Sequence, residues 1–357
     1  MPKYSIERLQ TTQFGPFSHL DIEFSPQLNI ITGDNGTGKT QLLKLLYTAS
    51  KVLEADNNTP LTKNAVAHAL ADKLMGVFKP DALGRLASRI RGRSRAEVGV
   101  KFSGIGDPLR FNFASSARSE VRLDKLPKQG VPDTAVFLPA RDLLSIYPGL
   151  VSLYDSREVS FDETWRDTAL LLGRSALKGP RGDKANELLL PLLESLEGTV
   201  IEENGKFYVR MKTGTSSTGK VEAPLVSEGF RKLAMVVRLV QSGVLLEGGY
   251  LFWDEPEANL NPRTQKAVAQ AIRTLALSGT QVFVATHSVF MLRELKMLIH
   301  DDDSGTMDTR YIGLTKSEAG DVEIGGVTAD SGDTQEDIPA ITALEAEADQ
   351  AFRYLGL

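Results

Sequence analysis

Gly33-Asp34-Asn35-Gly36-Thr37-Gly38-Lys39-Thr40 fits the pattern G-x-x-x-x-G-K-[ST], the phosphate-binding P-loop. The apolar stretch before it, Leu28 to Thr32, reads as a buried strand. Gln41 to Tyr47 after it reads as a helix with one apolar face. Strand, glycine loop and helix are the context such a loop requires. The glycines let backbone N–H groups turn toward an anion without side-chain clashes, and the helix N-terminus adds partial positive charge. In this motif Lys39 reaches the terminal phosphates and the Thr40 hydroxyl ligates Mg2+. A glycine turn that matches by chance is the alternative, and the flanking pattern weighs against it.

Far downstream, the apolar run Tyr250 to Trp253 leads straight into Asp254 and Glu255. An apolar strand therefore carries an acidic pair at its carboxyl end, where open α/β sheets bind ligands. Asp254 is expected in the Mg2+ shell, and Glu255 is expected to orient and polarise an attacking water. Strands often end in carboxylates for solubility, so this pair gains its meaning from the upstream loop. Helical patterning over 262–277 between strands at 250–253 and 281–286 suggests a parallel core sheet.

The composition is that of a globular chain: 357 residues, 41% hydrophobic and 24% charged. A net charge of −5 argues against a generally basic nucleic-acid binder, while leaving room for a local basic patch. There is no cysteine, which excludes disulfides and thiolate zinc sites. His19, His68, His287 and His300 lack metal-ligand spacing. No signal-peptide core and no apolar run long enough for a bilayer is present, so a cytoplasmic protein with no membrane partner is expected. Strands are expected over 4–32 and 97–123, helices near 41–55, 64–78, 160–197, 229–245 and 340–354, and a hairpin at 199–211 with a flexible tip at 214–219. The acidic 301–338 region is expected to be loop-rich with strands near 309–314 and 320–324.

Two further stretches bear on the family. Ser227-Glu228-Gly229-Phe230-Arg231-Lys232 precedes the acidic pair, and His287 follows it on Val282-Phe-Val-Ala-Thr-His-Ser288. The first resembles the signature motif of ABC-type ATPases and the second their switch histidine, while Glu257-Ala-Asn-Leu-Asn-Pro262 resembles the D-loop. Ser227 as a simple helix cap and His287 as a structural strand-end histidine are the alternatives. Phe14 to Phe24 leading into Leu28-Asn-Ile-Ile-Thr-Gly-Asp-Asn-Gly36 resembles the opening of RecF and SMC heads. The chain thus resembles an ABC-type P-loop ATPase of the RecF/SMC/overcoming-lysogenization-defect (OLD) group, of the standalone kind found in bacterial operons, rather than a transporter subunit, whose signature typically reads Leu-Ser-Gly-Gly-Gln. Residues 51–130 and 301–357 carry little of the likeness. No long heptad run announces an SMC coiled-coil arm, and the 70 residues after His287 are not expected to hold the nuclease domain of full OLD enzymes.

That resemblance implies an α/β head: a mostly parallel core sheet with an N-terminal antiparallel sheet and an inserted helical lobe. Residues 1–140 and 229–357 would form the nucleotide-binding core, and 141–228 the lobe leading to the signature. It implies ATP and Mg2+ as cofactors and ATP hydrolysis aided by Lys39, Glu255 and His287. It also implies a head-to-head dimer in which Ser227 and Gly229 meet the γ-phosphate held by the other copy. With a nearly complete nucleotide site, lacking a convincing Q-loop glutamine, and no recognisable effector, the chain is expected to regulate a separate nuclease or toxin in bacterial anti-phage defence. RecF-like DNA repair is the second reading and a transporter's nucleotide-binding subunit the third. Other candidates are Arg141 after the strand Thr134–Pro139, which would sense phosphate or form a surface ion pair; the arginines at 85–95, which would touch nucleic-acid phosphates or, the favoured reading, form a solvated basic helix end; and Tyr4, Phe14 and Phe17, which would stack on adenine or fill the core. Asp301-Asp-Asp303 reads as a solvated turn.

Overall fold

The computed structural model describes residues 3–54, 61–88, 92–196, 198–211, 220–246, 248–299, 307–316, 326–338 and 342–355. The chain opens with β1 (Ile6–Phe14), β2 (Phe17–Glu23) and β3 (Leu28–Gly33), then α1 (Lys39–Leu53) and α2 (Lys63–Phe78). Next come β4 (Arg95–Phe102), β5 (Leu109–Ala114), β6 (Arg122–Lys125) and β7 (Ala135–Leu138). The middle holds α3 (Leu150–Asp155), α4 (Glu163–Leu172), α5 (Pro180–Leu196), β8 (Gly198–Glu203), β9 (Lys206–Met211) and β10 (Val221–Glu222). The last part is α6 (Glu228–Gln241), β11 (Tyr250–Asp254), α7 (Pro262–Leu277), β12 (Gln281–Ala285), α8 (Val289–Ile299), β13 (Thr309–Lys316), β14 (Val327–Gly332) and α9 (Thr342–Leu355).

The parallel core and the antiparallel N-terminal part are two halves of a single 11-stranded sheet, in the order β6-β5-β4-β1-β2-β14-β13-β3-β12-β11-β7. Strands β13, β3, β12, β11 and β7 run parallel to one another, whereas β2, β1, β4, β5 and β6 pair with one another antiparallel. The halves join at β14, which is antiparallel to β13 and meets β2 at Val327 and Phe17. The strand expected near 320–324 lies outside the described residues, and the partner of β13 is β14 instead. The tip at 214–219 and Asp301–Asp303 also lie outside them. The short helix α3 had no counterpart in the sequence reading.

Each central strand is buried on both faces, which is why it reads as an unbroken apolar run rather than an alternating one. The period of two still sorts the side chains. Leu251, Trp253, Val282 and Val284 enter one core with α4, α6 and α7, while Tyr250, Phe252 and Phe283 enter the other with α1 and the antiparallel half. There the Phe252 and Phe283 rings stack with centroids 5.0 Å apart, and Tyr47 stands edge-on to Phe137.

Helix α4 is tied to the central layer by polar bonds as well. Thr168 donates to the Phe137 carbonyl at 2.5 Å, and Tyr47 Oη donates to Asp167 Oδ2 at 2.6 Å. Lys73 Nζ of α2 donates to Glu163 and to Asp167 at 2.7 and 2.9 Å. From α6, the Arg238 guanidinium donates to the carbonyls of Leu172 and Arg174. Strands β8, β9 and β10 form a separate 3-stranded sheet beside these helices.

Candidate nucleotide site

The P-loop spans the end of β3 to the start of α1, and its shape depends on glycine at two points. Gly33 has φ 144° and Gly38 φ 90°. A Cβ on Gly33 would lie 2.4 Å from the Leu314 carbonyl oxygen of β13, and one on Gly38 would lie 2.7 Å from Pro16 Cγ and 2.9 Å from Phe17 Cζ. The loop is therefore clamped between β13 and the β1–β2 turn. Lys39 Nζ donates to the carbonyls of Gly33 and Asp34 at 2.7 and 3.0 Å, and burial lowers its pKa against the pull of Glu255 and Asp254. Thr37 Oγ1 donates to the Asp34 carbonyl at 2.9 Å, and the N-terminus of α1 has no side-chain cap. Lys316, which sequence reasoning missed, donates to the Asn35 carbonyl at 3.1 Å. Such a loop, with uncapped helix N–H groups, can cradle an anion.

Because β3, β12 and β11 are adjacent and parallel, the end of β11 sits beside the start of α1. The Thr40 hydroxyl donates to Asp254 Oδ2 at 2.8 Å, while Asp254 Oδ1 is buried without a partner. Burial pushes the Asp254 carboxyl up to about 6. A hydroxyl facing a buried carboxylate with one unsatisfied oxygen is a donor set that fits Mg2+.

Glu255 follows with φ 44°, a left-handed conformation uncommon for a residue with a side chain, and its N–H donates to Ala285 O at 2.9 Å. That turn brings Glu255 Oε1 to 3.4 Å from His287 Nδ1. The His287 side chain is about half exposed, at 47%. Its Nδ1 also lies 3.8 Å from Glu257 Oε1, and the ring makes no hydrogen bond among the described residues. The backbone around it is held by Glu257, a residue the sequence marked only as part of the D-loop-like stretch. Glu257 Oε1 accepts from Thr286 Oγ1 at 2.6 Å and from the His287 N–H at 3.2 Å, and Oε2 is buried without a partner.

The signature-like residues lie in another place. Ser227 stands at the N-cap of α6, yet its side chain makes no cap bond and is exposed. A Cβ on Gly229 would lie 3.1 Å from Leu260, so glycine permits α6 to approach the D-loop-like turn. Behind it, fully buried Lys232 donates to the Ala258 carbonyl. Arg231 Nε lies 2.9 Å from Asp142 Oδ1, while the neighbouring Arg141 is exposed and makes no ion pair among the described residues. Ser227 and Gly229 line a cleft of about 790 Å³ with Asn259, Asn261, Arg263 and Thr264, and no P-loop residue lines it.

Tyr4, Phe14 and Phe17 are not free to stack on a base: all are buried, Phe14 between Phe78 and Phe113. Of the basic cluster, Arg85, Arg93 and Arg95 are exposed, and Arg89 and Arg91 lie outside the described residues. Among the described residues no helix is long and apolar enough to cross a membrane.

Fold and site together define a P-loop nucleotide-binding head with an α/β sheet. Residues 53–293 match the family described as "AAA domain, putative AbiEii toxin, Type IV TA system", and residues 8–50 match a second one described as "AAA domain". The chain belongs to the first of these families. It is 52% identical over 42 residues to the DNA replication and repair protein RecF of Idiomarina loihiensis, covering 12% of each chain. It is 34% identical over 61 residues to RecF of Oceanobacillus iheyensis, covering 17% of this chain and 16% of that one. The chain thus spans only a small part of the curated relatives it matches. In fold it is similar to an SMC head bound to the C-terminal winged-helix domain of ScpA, with TM-score 0.56, 16% identity and coverage of 93% of this chain and 98% of that one. An SMC head of Pyrococcus yayanosii with a coiled coil and joint gives TM-score 0.55 at 12% identity, covering 98% and 100%.

Proposed function

We propose that this chain hydrolyses ATP with Mg2+, and that ATP draws two copies together head to head to regulate a separate effector. The observation that carries the reading is the Thr40–Asp254 contact, which joins a phosphate loop to an acidic strand end beside Glu255 and His287. Thr40 and Asp254 would hold Mg2+, which neutralises phosphate charge. Lys39 and the loop N–H groups bind the β- and γ-phosphates. Glu255 orients the water and accepts its proton, and His287 lines up beside it. The water oxygen bonds to the γ-phosphorus, the bond to the β–γ bridging oxygen breaks, and ADP and inorganic phosphate leave. Ser227 and Gly229 would meet the γ-phosphate held by the second copy. Their cleft, which has no P-loop residue in its lining, supports that assignment.

On this reading residues 141–228 form the lobe that carries the approach to the signature, and the effector docks there or on the 301–357 region. The family's printed description, with its toxin and toxin–antitoxin terms, supports a toxin-like or nuclease effector. A RecF-like role on DNA is the second reading, favoured by the RecF matches; salt-sensitive stimulation of hydrolysis by DNA distinguishes it. The nucleotide chemistry is tested with Lys39→Ala and Glu255→Gln. The first is expected to lose tight ATP binding. The second is expected to keep ATP and hydrolyse it about 10²-fold more slowly or worse. Normal turnover by the Glu255→Gln protein would refute the role given to Glu255.

A further inference from the structure

The cleft between the N-termini of α6 and α7 holds two polar side chains that the fold itself does not use. Most of its polar groups are committed. Asn261 Oδ1 accepts from Thr264 N–H at 3.0 Å and from Thr264 Oγ1 at 3.2 Å, capping α7. Asn259 Nδ2 donates to both carboxylate oxygens of Glu228 at 3.2 Å, so the acid in the lining is held by an amide. Ser227 is different, an N-cap serine without a cap bond. Arg263 is different too: it is exposed and makes no ion pair or hydrogen bond among the described residues. Pro262 precedes it at the first helical position of α7, which fixes the backbone from which it projects.

A free hydroxyl and a free guanidinium in one concave space, with two helix N-termini directed at it, form a receptor for a multiply charged phosphate. Serine and backbone N–H groups supply neutral donors only. Arginine adds a permanent charge and a planar fork that matches phosphate oxygens two at a time. None of the cleft's lining belongs to the P-loop of the same chain, so on the head-to-head reading the phosphate arrives on another copy. The geometry points to Arg263 as a catalytic cation acting in trans: it reaches the γ-phosphate of ATP held by the P-loop of the second copy. There it stabilises the charge that develops as the bond from the γ-phosphorus to the bridging oxygen breaks and the water oxygen bonds in its place. This rests on the head-to-head reading above and extends it by one residue that the signature-like motif does not contain.

Arg263→Ala is expected to lower kcat by about 10³-fold, the scale of an arginine supplied in trans, while each head still binds ATP. Arg263→Lys is expected to recover only part of the rate, because an ammonium cannot reproduce the fork. The deciding experiment mixes two inactive proteins. In a heterodimer of Arg263→Ala with Glu255→Gln, the Arg263→Ala head keeps its own Glu255 and receives an intact Arg263 from its partner. Random two-fold pairing then restores hydrolysis to about a quarter of the wild-type rate. Ser227→Ala mixed with Glu255→Gln tests the head-to-head arrangement alone. Recovery in both mixtures is the expected result. Recovery with Ser227→Ala but not with Arg263→Ala overturns the trans role of Arg263 while the dimer reading stands, as does wild-type activity in Arg263→Ala alone. Recovery in neither mixture overturns both.

Discussion

The Thr40 hydroxyl donates to Asp254 at 2.8 Å, joining the first turn of the helix after the P-loop to the end of a strand 214 positions further along the chain. The contact exists because β3, β12 and β11 lie side by side and parallel, so their carboxyl ends share one rim of the sheet. The second Asp254 oxygen is buried without a partner, and burial pushes its carboxyl up to about 6. Asp254→Asn should therefore separate stability from function. Removing a charge that burial disfavours should leave the metal-free protein melting at or above the wild type. Hydrolysis should fall about 10²-fold or more, and more Mg2+ should be needed to reach half-maximal rate. Chelation with EDTA should stop the wild type, and Mg2+ should restore it. An unchanged Mg2+ titration in Asp254→Asn would remove Asp254 from the metal site.

Glu257 holds the backbone that carries His287. In Glu257→Ala, the Thr286 hydroxyl and the His287 N–H lose a buried acceptor, which should cost about 1–3 kcal/mol in denaturant unfolding. His287 then loses its fixed distance to Glu255. The expected kinetic effect is a fall in kcat of about 10-fold or more, with KM for ATP little changed. Glu257→Gln keeps an acceptor oxygen and should regain most of the stability. A kcat equal to wild type in Glu257→Ala would show that His287 is positioned without it.

The anchoring of α4 can be tested away from the nucleotide. Asp167 accepts from Tyr47 Oη and from Lys73 Nζ, and Tyr47 is fully buried. Asp167→Ala leaves the tyrosine hydroxyl without its partner, although Lys73 still has Glu163. A loss of about 2–3 kcal/mol is expected from chemical denaturation. A change under about 0.5 kcal/mol, typical of unconstrained surface sites, would mean that α4 is not tied to the core through this cluster.

How much of this was legible depended on distance along the chain. The P-loop and the acidic strand end are local patterns, and their flanks read correctly as strand, helix and strand. Their meeting was inferred from element order, which parallel β-α-β connections largely dictate. What escaped the sequence depends on contacts between remote segments. Lys316 is an ordinary lysine until β13 pairs with β3, and Glu257 is one acid of a turn until β12 brings Thr286 beside it. Lys232 resembles a surface cation on a helix, and only the packing of α6 on the turn at Ala258 buries it. For Tyr4, Phe14 and Phe17 the sequence leaves base stacking and core packing both open, because aromatic type cannot distinguish a core ring from an exposed one; the fold buries all three. The 2-residue strand β10 and the short helix α3 carry too few residues for periodicity to register.

If the output of hydrolysis lies in a partner, the purified chain with ATP and Mg2+ should cleave neither DNA nor RNA. A tagged copy pulled from its native cell should bring down an effector whose recovery changes with ATP, and Lys39→Ala should abolish the biological output. Metal-dependent cleavage that stays with the single purified chain would overturn the effector proposal.

The central claim is that ATP completes its site only between two copies. Light scattering of the Glu255→Gln protein, which should bind ATP without consuming it, tests that claim most directly. The expected result is one chain mass without nucleotide and at least twice that mass with ATP and Mg2+. A single-chain mass at every protein concentration, with ATP demonstrably bound, would contradict it.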